Sequence, residues 1–282
     1  MLFALTGASG QLGRLVVQEL LDTGTSAEQV VAIVRDPAKI ADLAARGVVV
    51  RQAEYGDPAA LRDALDGIDR LLLISISGAG ASSAHRNVIE AAHTAGVGHI
   101  AYTSILNADT SSNPLAPEHA ATEQILAESG IPSTILRNAW YHEFYTRLLP
   151  GYLAAGEVTG ASGQGRISGA ARADFAAAAA TILTAGSTES RTYELGGPSF
   201  TLAELTDTIN AVAGTSLAYR DLTQAEYAAE LQQSGLDPDS ARMFAASDAS
   251  IAHGEMHADS DDLSRLVGRE LRPLADTLRQ AL

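Results

Sequence analysis

The 282-residue sequence contains no cysteine, which excludes disulfide bonds and thiolate metal sites and predicts a cytoplasmic protein. No apolar run approaches the roughly 20 residues that a membrane-spanning helix needs. No basic segment precedes the apolar start of the chain, and a glycine at position 7 interrupts that start. We therefore expect neither a membrane segment nor a signal peptide.

Lysine is almost absent, since Lys39 is the only one in the chain. A phosphate-binding P-loop needs a lysine directly after its last glycine, and no glycine here precedes a lysine. Lys39 also follows Asp36 and Pro37 in what reads as a surface loop, which argues against a Schiff-base role. The 19 basic residues face 34 acidic ones, and the net charge of −15 argues against nucleic acid as a partner.

The first twenty residues combine the parts of a nucleotide site. An apolar run at Leu2–Leu5 is followed by three glycines spaced by three, and then by apolar residues at helical intervals. A strand, a glycine turn and a helix present free N–H groups and a positive helix dipole to a diphosphate. The predicted cofactor contacts of this loop are Gly7, Ser9, Gly10, Gln11, Leu12 and Gly13.

Apolar segments alternate with helical patterns through the first two thirds of the chain. After the first strand, the predicted strands are Val30–Val34, Val48–Ala53, Arg70–Ser75, His99–Ser104 and Ser133–Arg137, with a short strand and turn at Tyr193–Gly197. The predicted helices are Ala60–Leu65, Arg86–Ala95, Glu118–Ser129, Ala170–Ala185 and Thr201–Ala213, with loops at Ser75–Ser83 and Gly151–Gly169. This alternation predicts an α/β fold, a Rossmann-type doubly wound parallel sheet with helices on both faces.

The same pattern suggests two regions. Residues 1–150 would form the dinucleotide-binding domain, and residues 170–197 would pack back on it. Residues 151–282 would form a smaller, mostly helical C-terminal domain on the substrate side, ending in the helical stretch Leu222–Leu282. Ligands of such folds bind at the carboxyl ends of the strands. We therefore expect Arg35, Ser75, Thr103 and Ser104 to lie along one edge of the sheet.

The residues after the second strand bear on the choice of cofactor. An acid there hydrogen-bonds the 2′-hydroxyl of NADH, whereas an arginine can pair with the 2′-phosphate of NADPH. Arg35 comes first and Lys39 is close behind, which favours NADPH. Asp36 lies between them and leaves NADH possible.

Two other segments carry candidate ligand-binding side chains. Asn138–Tyr145 holds the only tryptophan in a chain that is 5% aromatic, and it could form either core packing or a wall for a flat substrate.

His253 and His257 are four residues apart, but Gly254 weakens a helix there and no third ligand is evident, so we predict no metal site.

Three segments together resemble one protein family. The opening Leu5–Gly13, the stretch Gly96–Ser104 and the stretch Thr134–Tyr141 are similar to the NmrA-like atypical short-chain dehydrogenases, and within them to the bacterial NAD(P)H:quinone oxidoreductases. The similarity continues through Tyr193–Pro198 and Asp262–Arg269, so it covers essentially the whole chain.

The resemblance implies NADPH as cofactor, NADH being possible, with no metal and no flavin, and a small quinone as substrate. The implied partners include neither nucleic acid nor membrane, and the protein would be a monomer or homodimer. Beyond the glycine loop, the implied cofactor contacts are Arg35, Lys39, Glu54, Ser75, Ile76, Thr103, Ser104 and Asn138, and the substrate contacts are Trp140 and Tyr141.

Ordinary short-chain dehydrogenases use a Tyr-x-x-x-Lys pair, and this chain lacks it. The positions of the pair hold Leu115 and His119. Reduction of a quinone depends less on a proton donor, because the hydroquinone anion is delocalised and water can protonate it. We expect direct hydride transfer, with Asn138 or Tyr141 binding the carbonyl, and His119 either donating a proton or lying exposed on a helix.

Two other functions remain open. The chain could be an NAD(P)(H)-binding redox sensor that acts through a protein partner, since a sensor also needs no Tyr-x-x-x-Lys pair. It could also be an NADPH-dependent reductase of another flat electrophile.

Overall fold

The computed structural model describes all residues of the chain, 1–282, as an α/β structure with nine strands. The strands are β1 (Phe3–Thr6), β2 (Val30–Val34), β3 (Val49–Gln52), β4 (Arg70–Leu73), β5 (His99–Ile105), β6 (Ser133–Asn138), β7 (Glu157–Gly160), β8 (Arg191–Leu195) and β9 (Ala218–Asp221). Seven of them form one sheet in the order β3-β2-β1-β4-β5-β6-β8, and β7 and β9 form a separate pair. Every pairing is parallel. The predicted Rossmann-type sheet is confirmed.

Twelve helices cover the sheet and build the C-terminal part of the chain. They are α1 (Gln11–Asp22), α2 (Ala41–Ala45), α3 (Pro58–Leu65), α4 (Ala81–Ala95), α5 (Ala116–Glu128), α6 (His142–Ala155), α7 (Arg172–Thr184), α8 (Leu202–Ala213), α9 (Gln224–Gln233), α10 (Pro238–Ala252), α11 (Asp262–Val267) and α12 (Leu274–Arg279). None of them is both long enough and apolar enough to cross a bilayer.

Three apolar clusters form the core. On one face of the sheet, Leu5 and Val30 pack with Val16 of α1 and Phe175 of α7. On the other face, side chains of α3, α4 and α5 cover residues such as Leu71. A third cluster lies beyond the carboxyl end of β5, where α6 meets α8 and the end of α10. Because both faces of the sheet are buried, its inner strands carry continuous apolar runs.

Local signals explain where several helices begin. Asp57 accepts hydrogen bonds from the N–H groups of Ala59 and Ala60, and Pro58 occupies the first helical position of α3. Thr201 and Glu204 form a capping box at the start of α8, which the threonine followed three residues later by a glutamate predicts from the sequence. These are contacts between neighbours in sequence, which is why the sequence pattern could reveal them.

The start of α4 differs from the prediction, which placed it at Arg86. The helix begins at Ala81, after Gly80 in the left-handed conformation. The N–H groups of Gly80 and Ser82 donate to the two carboxylate oxygens of Glu118, at 3.0 and 2.7 Å. The helix is therefore capped by a residue 36 to 38 positions away, a contact that no local pattern displays.

The prediction of a loop over Gly151–Gly169 was wrong in its first half. Helix α6 continues through Pro150 and Gly151 to Ala155, and β7 follows directly. Strand β7 exists because β9 pairs with it over Glu157–Gly160, and β9 was not predicted either. Each strand of this pair needs the other, and they lie some sixty residues apart in sequence.

Residues 170–197 contribute to the main sheet and its cover, since β8 pairs with β6 and α7 packs against α1. The C-terminal stretch after residue 222 is mostly helical, as expected. The division into a domain at 1–150 and a domain at 151–282 stays a prediction.

Candidate active site

The glycine loop between β1 and α1 is shaped by its glycines. Gly7 has φ +63°, the left-handed region that favours glycine. A Cβ on Gly13 would lie 2.4 Å from the carbonyl oxygen of Gly7 and 2.7 Å from Cα of Ala8, so only glycine allows this approach of helix to loop. No side chain caps the start of α1, which leaves its first N–H groups free for an anion.

Of the other predicted loop residues, Gln11 and Leu12 line the cavity described below, and Ser9 and Gly10 lie in the turn before them.

The end of β2 presents two cations without side-chain partners. Arg35 and Lys39 are exposed, and neither side chain makes a hydrogen bond or an ion pair within the chain. Asp36 is engaged locally, because its carboxylate accepts from the N–H of Ala38 at 3.1 Å and caps a short 3-10 turn. Asp36, which would favour NADH, thus already has a hydrogen-bond partner within the chain. Arg35 and Lys39, which would favour NADPH, have none for their side chains.

The ends of β1 and β4 are tied together by a residue that the sequence analysis missed. The hydroxyl oxygen of Tyr55 lies 2.6 Å from Oγ1 of Thr6 and 2.7 Å from the carbonyl oxygen of Ile74, whose N–H donates to Thr6. Burial raises the pKa of the Tyr55 phenol, so the group stays protonated and can donate. Its neighbour Glu54 is exposed at the end of β3 and does not line the cavity.

One cavity of about 650 Å³ opens at the carboxyl ends of the strands and runs from the glycine loop to α6. It brings together predicted residues from five separate stretches of the chain: Gln11, Leu12, Ser75, Thr103, Ser104, His119, Asn138, Trp140 and Tyr141. The rule that ligands bind at this edge predicted that Ser75, Thr103 and Ser104 lie together. Arg35, expected at the same edge, does not line the cavity. The roles of the individual residues stay predictions.

The polar groups at the sheet end of the cavity differ in whether they already have hydrogen-bond partners within the protein. Thr103 accepts from the N–H of Ser75 at 2.8 Å, and Ser104 donates to Glu123 at 2.5 Å. Asn138 is 7% exposed, and its Oδ1 atom is buried without a hydrogen-bond partner. A buried, unpartnered amide oxygen costs free energy unless a ligand supplies a donor.

The aromatic segment divides between the cavity and the core. Trp140, Tyr141 and Phe144 line the cavity, and the rings of Trp140 and Phe144 stack with their centroids 5.7 Å apart. His142 and Tyr145 point the other way and are buried. The segment therefore contributes both to the cavity wall, through Trp140, Tyr141 and Phe144, and to the core, through His142 and Tyr145.

His119 is buried, so the interpretation as an exposed helix residue was wrong. Its Nδ1 atom lies 2.9 Å from the hydroxyl oxygen of Tyr102, and its ring lines the cavity. Burial lowers the pKa of His119 to about 4, so the imidazole is neutral near pH 7. Leu115 lines the same cavity, so neither position of the missing pair offers a charged proton donor.

A second cavity, also of about 650 Å³, adjoins the first. The two share Ser77, Leu115, His119, Trp140 and Phe144. Ile76, a predicted cofactor contact, lines the second cavity and not the first, and it is 43% exposed. Met243 and Phe244 of α10 complete the far wall.

Several further lining residues were missed. Arg172 begins α7, and its guanidinium carbon lies 4.9 Å from the centroid of the Tyr141 ring. Arg147 of α6 and the two α10 residues also reach the cavities. A lone arginine, or an apolar pair on a distant helix, forms no sequence motif that would indicate a place in the cavity wall. Phe144, in contrast, belongs to the aromatic segment, so the sequence pattern could have indicated it.

The two histidines near the C-terminus do not share a helix. Helix α10 ends at Ala252, and Nδ1 of His257 lies 3.1 Å from Oγ of Ser168. The structure contains no group of three or more histidine or acidic side chains placed to hold a metal ion.

Comparison with known proteins adds to this geometry. A family model described as NAD(P)H-binding matches residues 7–185, which include the glycine loop and most of the cavity wall. The chain is 48% identical to quinone oxidoreductase 2 of Escherichia coli over 98% of this chain and 97% of that protein.

Two solved structures are also similar along their whole length. The crystal structure of an NADPH-dependent quinone oxidoreductase from Escherichia coli in complex with NADPH superposes with a TM-score of 0.96, at 47% identity, covering 99% of both chains. Triphenylmethane reductase of a Citrobacter species, in complex with NADP(H), superposes with a TM-score of 0.93, at 38% identity, covering 99% of this chain and all of that one.

Proposed function

The chain belongs to the NAD(P)H-binding, NmrA-like family, and from that premise we propose that it reduces small quinones with NADPH by direct hydride transfer. The observation that carries the proposal is the shared cavity. The free N-terminus of α1, the unpartnered oxygen of Asn138 and the aromatic wall of Trp140 and Tyr141 open into one space. A dinucleotide and a flat ring could therefore be held next to each other.

The residues present fit NADPH at both ends of the site. The N–H groups at the start of α1 suit the diphosphate, and Arg35 with Lys39 suits a 2′-phosphate. At the other end, Asn138 offers the unpartnered oxygen to an amide donor such as that of the nicotinamide. When bound, NADPH would supply the hydride.

The protein's own part in the reaction would be positioning. Trp140 and Tyr141 offer aromatic faces to a flat substrate, and burial raises the pKa of the Tyr141 phenol, which keeps it a donor. The neutral His119 can donate a hydrogen bond but is a poor acid. We therefore assign Tyr141 and His119 to hydrogen bonding of the quinone oxygen, with water completing the protonation.

A reductase of other flat electrophiles is the second candidate. The likeness to triphenylmethane reductase favours it, because that protein's name describes a substrate class of several aromatic rings. The aromatic wall of Trp140 and Tyr141 could hold either kind of acceptor. The choice between them rests on which acceptor is turned over faster.

The proposal extends to the setting of the reaction. We propose that the protein works in the cytoplasm as a monomer or homodimer, without nucleic acid or membrane as partner. The cysteine-free sequence and the net charge of −15 support the compartment and the exclusion of nucleic acid.

The test is to follow the oxidation of NADPH, and separately of NADH, by the purified protein with and without 1,4-benzoquinone. Quinone-dependent turnover with NADPH preferred is the expected result. If both cofactors bind but no quinone is reduced, the enzyme proposal fails, and a redox sensor acting through a protein partner becomes the better one.

A matched pair of variants sharpens this test. The side chains of Asn138 and Ser162 each bury one unpartnered oxygen, but only Asn138 lies in the cavity. Asn138→Leu should lower kcat/KM for the quinone by roughly fivefold to a hundredfold, because it leaves the buried amide donor of the ligand without a partner, at a cost of about 1–3 kcal/mol. Ser162→Ala should leave it unchanged. Equal effects of the two changes would contradict the role of Asn138.

A further inference from the structure

The second cavity has few polar groups free to bind a ligand. Both ring nitrogens of His85 are engaged, Nε2 with the N–H of Ile76 at 3.0 Å and Nδ1 with Oγ1 of Thr122 at 2.9 Å. The hydroxyl of Tyr102 contacts His119. The carboxylate of Glu118 accepts from the backbone at the start of α4. The three polar side chains that line only this cavity, His85, Tyr102 and Glu118, thus already have hydrogen-bond partners within the protein.

Exposed apolar side chains mark the same space. Ile76 and Met243 are 43% and 36% exposed, and apart from the two terminal residues only Val49 is a comparably exposed large apolar side chain. Both line the second cavity. Two of the three exposed apolar side chains within the chain thus face one space, where an apolar ligand would cover them.

The second cavity is lined by negative charge and by no positive charge. No arginine or lysine lines it, and Glu118 is its one carboxylate. In contrast, the first cavity has Arg147 and Arg172 in its wall beside Glu143. An anionic group would therefore be repelled from the second cavity and have no cation to pair with.

We propose that the second cavity binds an uncharged apolar substituent of the substrate, so that the preferred quinones carry an alkyl chain on the ring. This inference rests on the proposed function. The ring would lie in the first cavity, and the chain would pass Trp140, which both cavities share, to reach Met243 and Phe244. A volume of about 650 Å³ is within the range of small-molecule sites. Met243 and Phe244 then determine specificity, although they lie nearly a hundred residues beyond the aromatic segment.

The kinetic test compares 2-methyl- and 2-hexyl-1,4-benzoquinone, whose rings have nearly equal electron demand. The wild type should show a kcat/KM for the hexyl compound at least tenfold above that for the methyl compound, since each buried CH2 group adds to binding. The 2-(5-carboxypentyl) compound, of equal chain length, should lose this advantage. Turnover of the methyl compound with equal kcat/KM for the hexyl compound would overturn the inference while the proposed function stands.

Two variants on α10 locate the effect. Met243→Asp should lower the hexyl-to-methyl ratio of kcat/KM toward one, and Met243→Leu should keep it. Arg242→Ala is the matched control, because Arg242 is the exposed neighbour on the same helix, outside the lining, and pairs with Asp239. A ratio that Met243→Asp leaves at the wild-type value would overturn the assignment of Met243.

A binding measurement separates this inference from the proposed function. Trp140 is the only tryptophan and stands between the two cavities, so its fluorescence reports ligand binding directly. The probes are 2-hexyl- and 2-methyl-1,4-dimethoxybenzene, which accept no hydride, titrated into the protein with NADP⁺ present. The hexyl probe should bind at least tenfold more tightly, and Met243→Asp should remove the difference. Equal affinities would refute the apolar site, even if no quinone were reduced.

Discussion

The Nδ1 atom of His119 lies 2.9 Å from the hydroxyl oxygen of Tyr102, and both groups are buried. Burial raises the pKa of the Tyr102 phenol and lowers that of the His119 imidazole, so near pH 7 the pair is uncharged. If Tyr102 donates to Nδ1, the proton of the imidazole sits on Nε2 and is free to hydrogen-bond a ligand. The pair can therefore orient a substrate without holding a charge.

This relationship predicts a flat pH profile. The pKa of His119 is lowered to about 4 from the usual 6.5, so its ionisation leaves kcat/KM for the quinone unchanged between pH 5.5 and 8. A charged general acid would instead lose activity as the pH rises through about 6.5. Steady-state rates across this range decide between the two.

His119→Leu should lower kcat/KM on the order of tenfold by removing a hydrogen bond, and His119→Gln should restore part of it. Neither change should alter the shape of the pH profile. An inflection near pH 6.5 that disappears in His119→Leu would contradict the neutral assignment.

The end of β2 predicts the cofactor preference. Arg35→Ala should raise the KM for NADPH by roughly tenfold to a hundredfold, the range for loss of a charged hydrogen bond, and leave the KM for NADH nearly unchanged. Arg62→Ala is the matched control, since Arg62 is also exposed but lies on α3 away from this edge. A parallel loss with both cofactors in Arg35→Ala would show that Arg35 does not contact the 2′-phosphate.

The glycine loop predicts a steric effect. Gly13→Ala places a Cβ 2.4 Å from the carbonyl oxygen of Gly7, so the helix or the loop must move. We expect a loss of about 1–3 kcal/mol in the free energy of unfolding and a weaker affinity for NADPH. Gly186→Ala is the control, because no atom lies within 4 Å of the added carbon. Chemical denaturation and a cofactor titration measure both effects.

The sequence predicted features that depend on neighbours in the chain. The glycine loop, the capping box at Thr201 and the edge that collects Ser75, Thr103 and Ser104 all follow from local patterns and one rule about parallel sheets. The start of α4 escaped prediction because its cap is Glu118, and the pair β7–β9 escaped because each strand needs the other.

The residues that line the two cavities also fall into those that the sequence indicated and those that it did not. Trp140 and Tyr141 were found because they cluster in an otherwise aromatic-poor sequence. Arg172 and Met243 were not, since their place in the cavities follows from the packing of helices far along the chain. The burial of His119 was missed for the same reason.

Asp248 of α10, a half-buried acid, predicts how stability changes with pH. Burial raises the pKa of Asp248 to about 6 from 3.8, and the N–H of Ala161, which donates to its carboxylate at 3.0 Å, opposes that shift only in part. A raised pKa means that the folded chain holds this proton more tightly than the unfolded chain does. The contribution to stability is therefore fully present below about pH 4 and is lost as the pH rises through 6.

Asp248→Asn removes the charge and keeps an oxygen for the N–H of Ala161. At pH 7.5 it should raise the free energy of unfolding by about 1–3 kcal/mol, because a shift of one pKa unit corresponds to about 1.4 kcal/mol and the side chain is partly exposed. At pH 4.5 the gain should shrink, since the wild-type acid is then protonated in the folded chain. Asp239→Asn, an exposed acid on the same helix, should gain nothing at either pH. Urea denaturation at the two pH values measures the difference, and an equal gain for Asp248→Asn at both would mean that its charge is not buried.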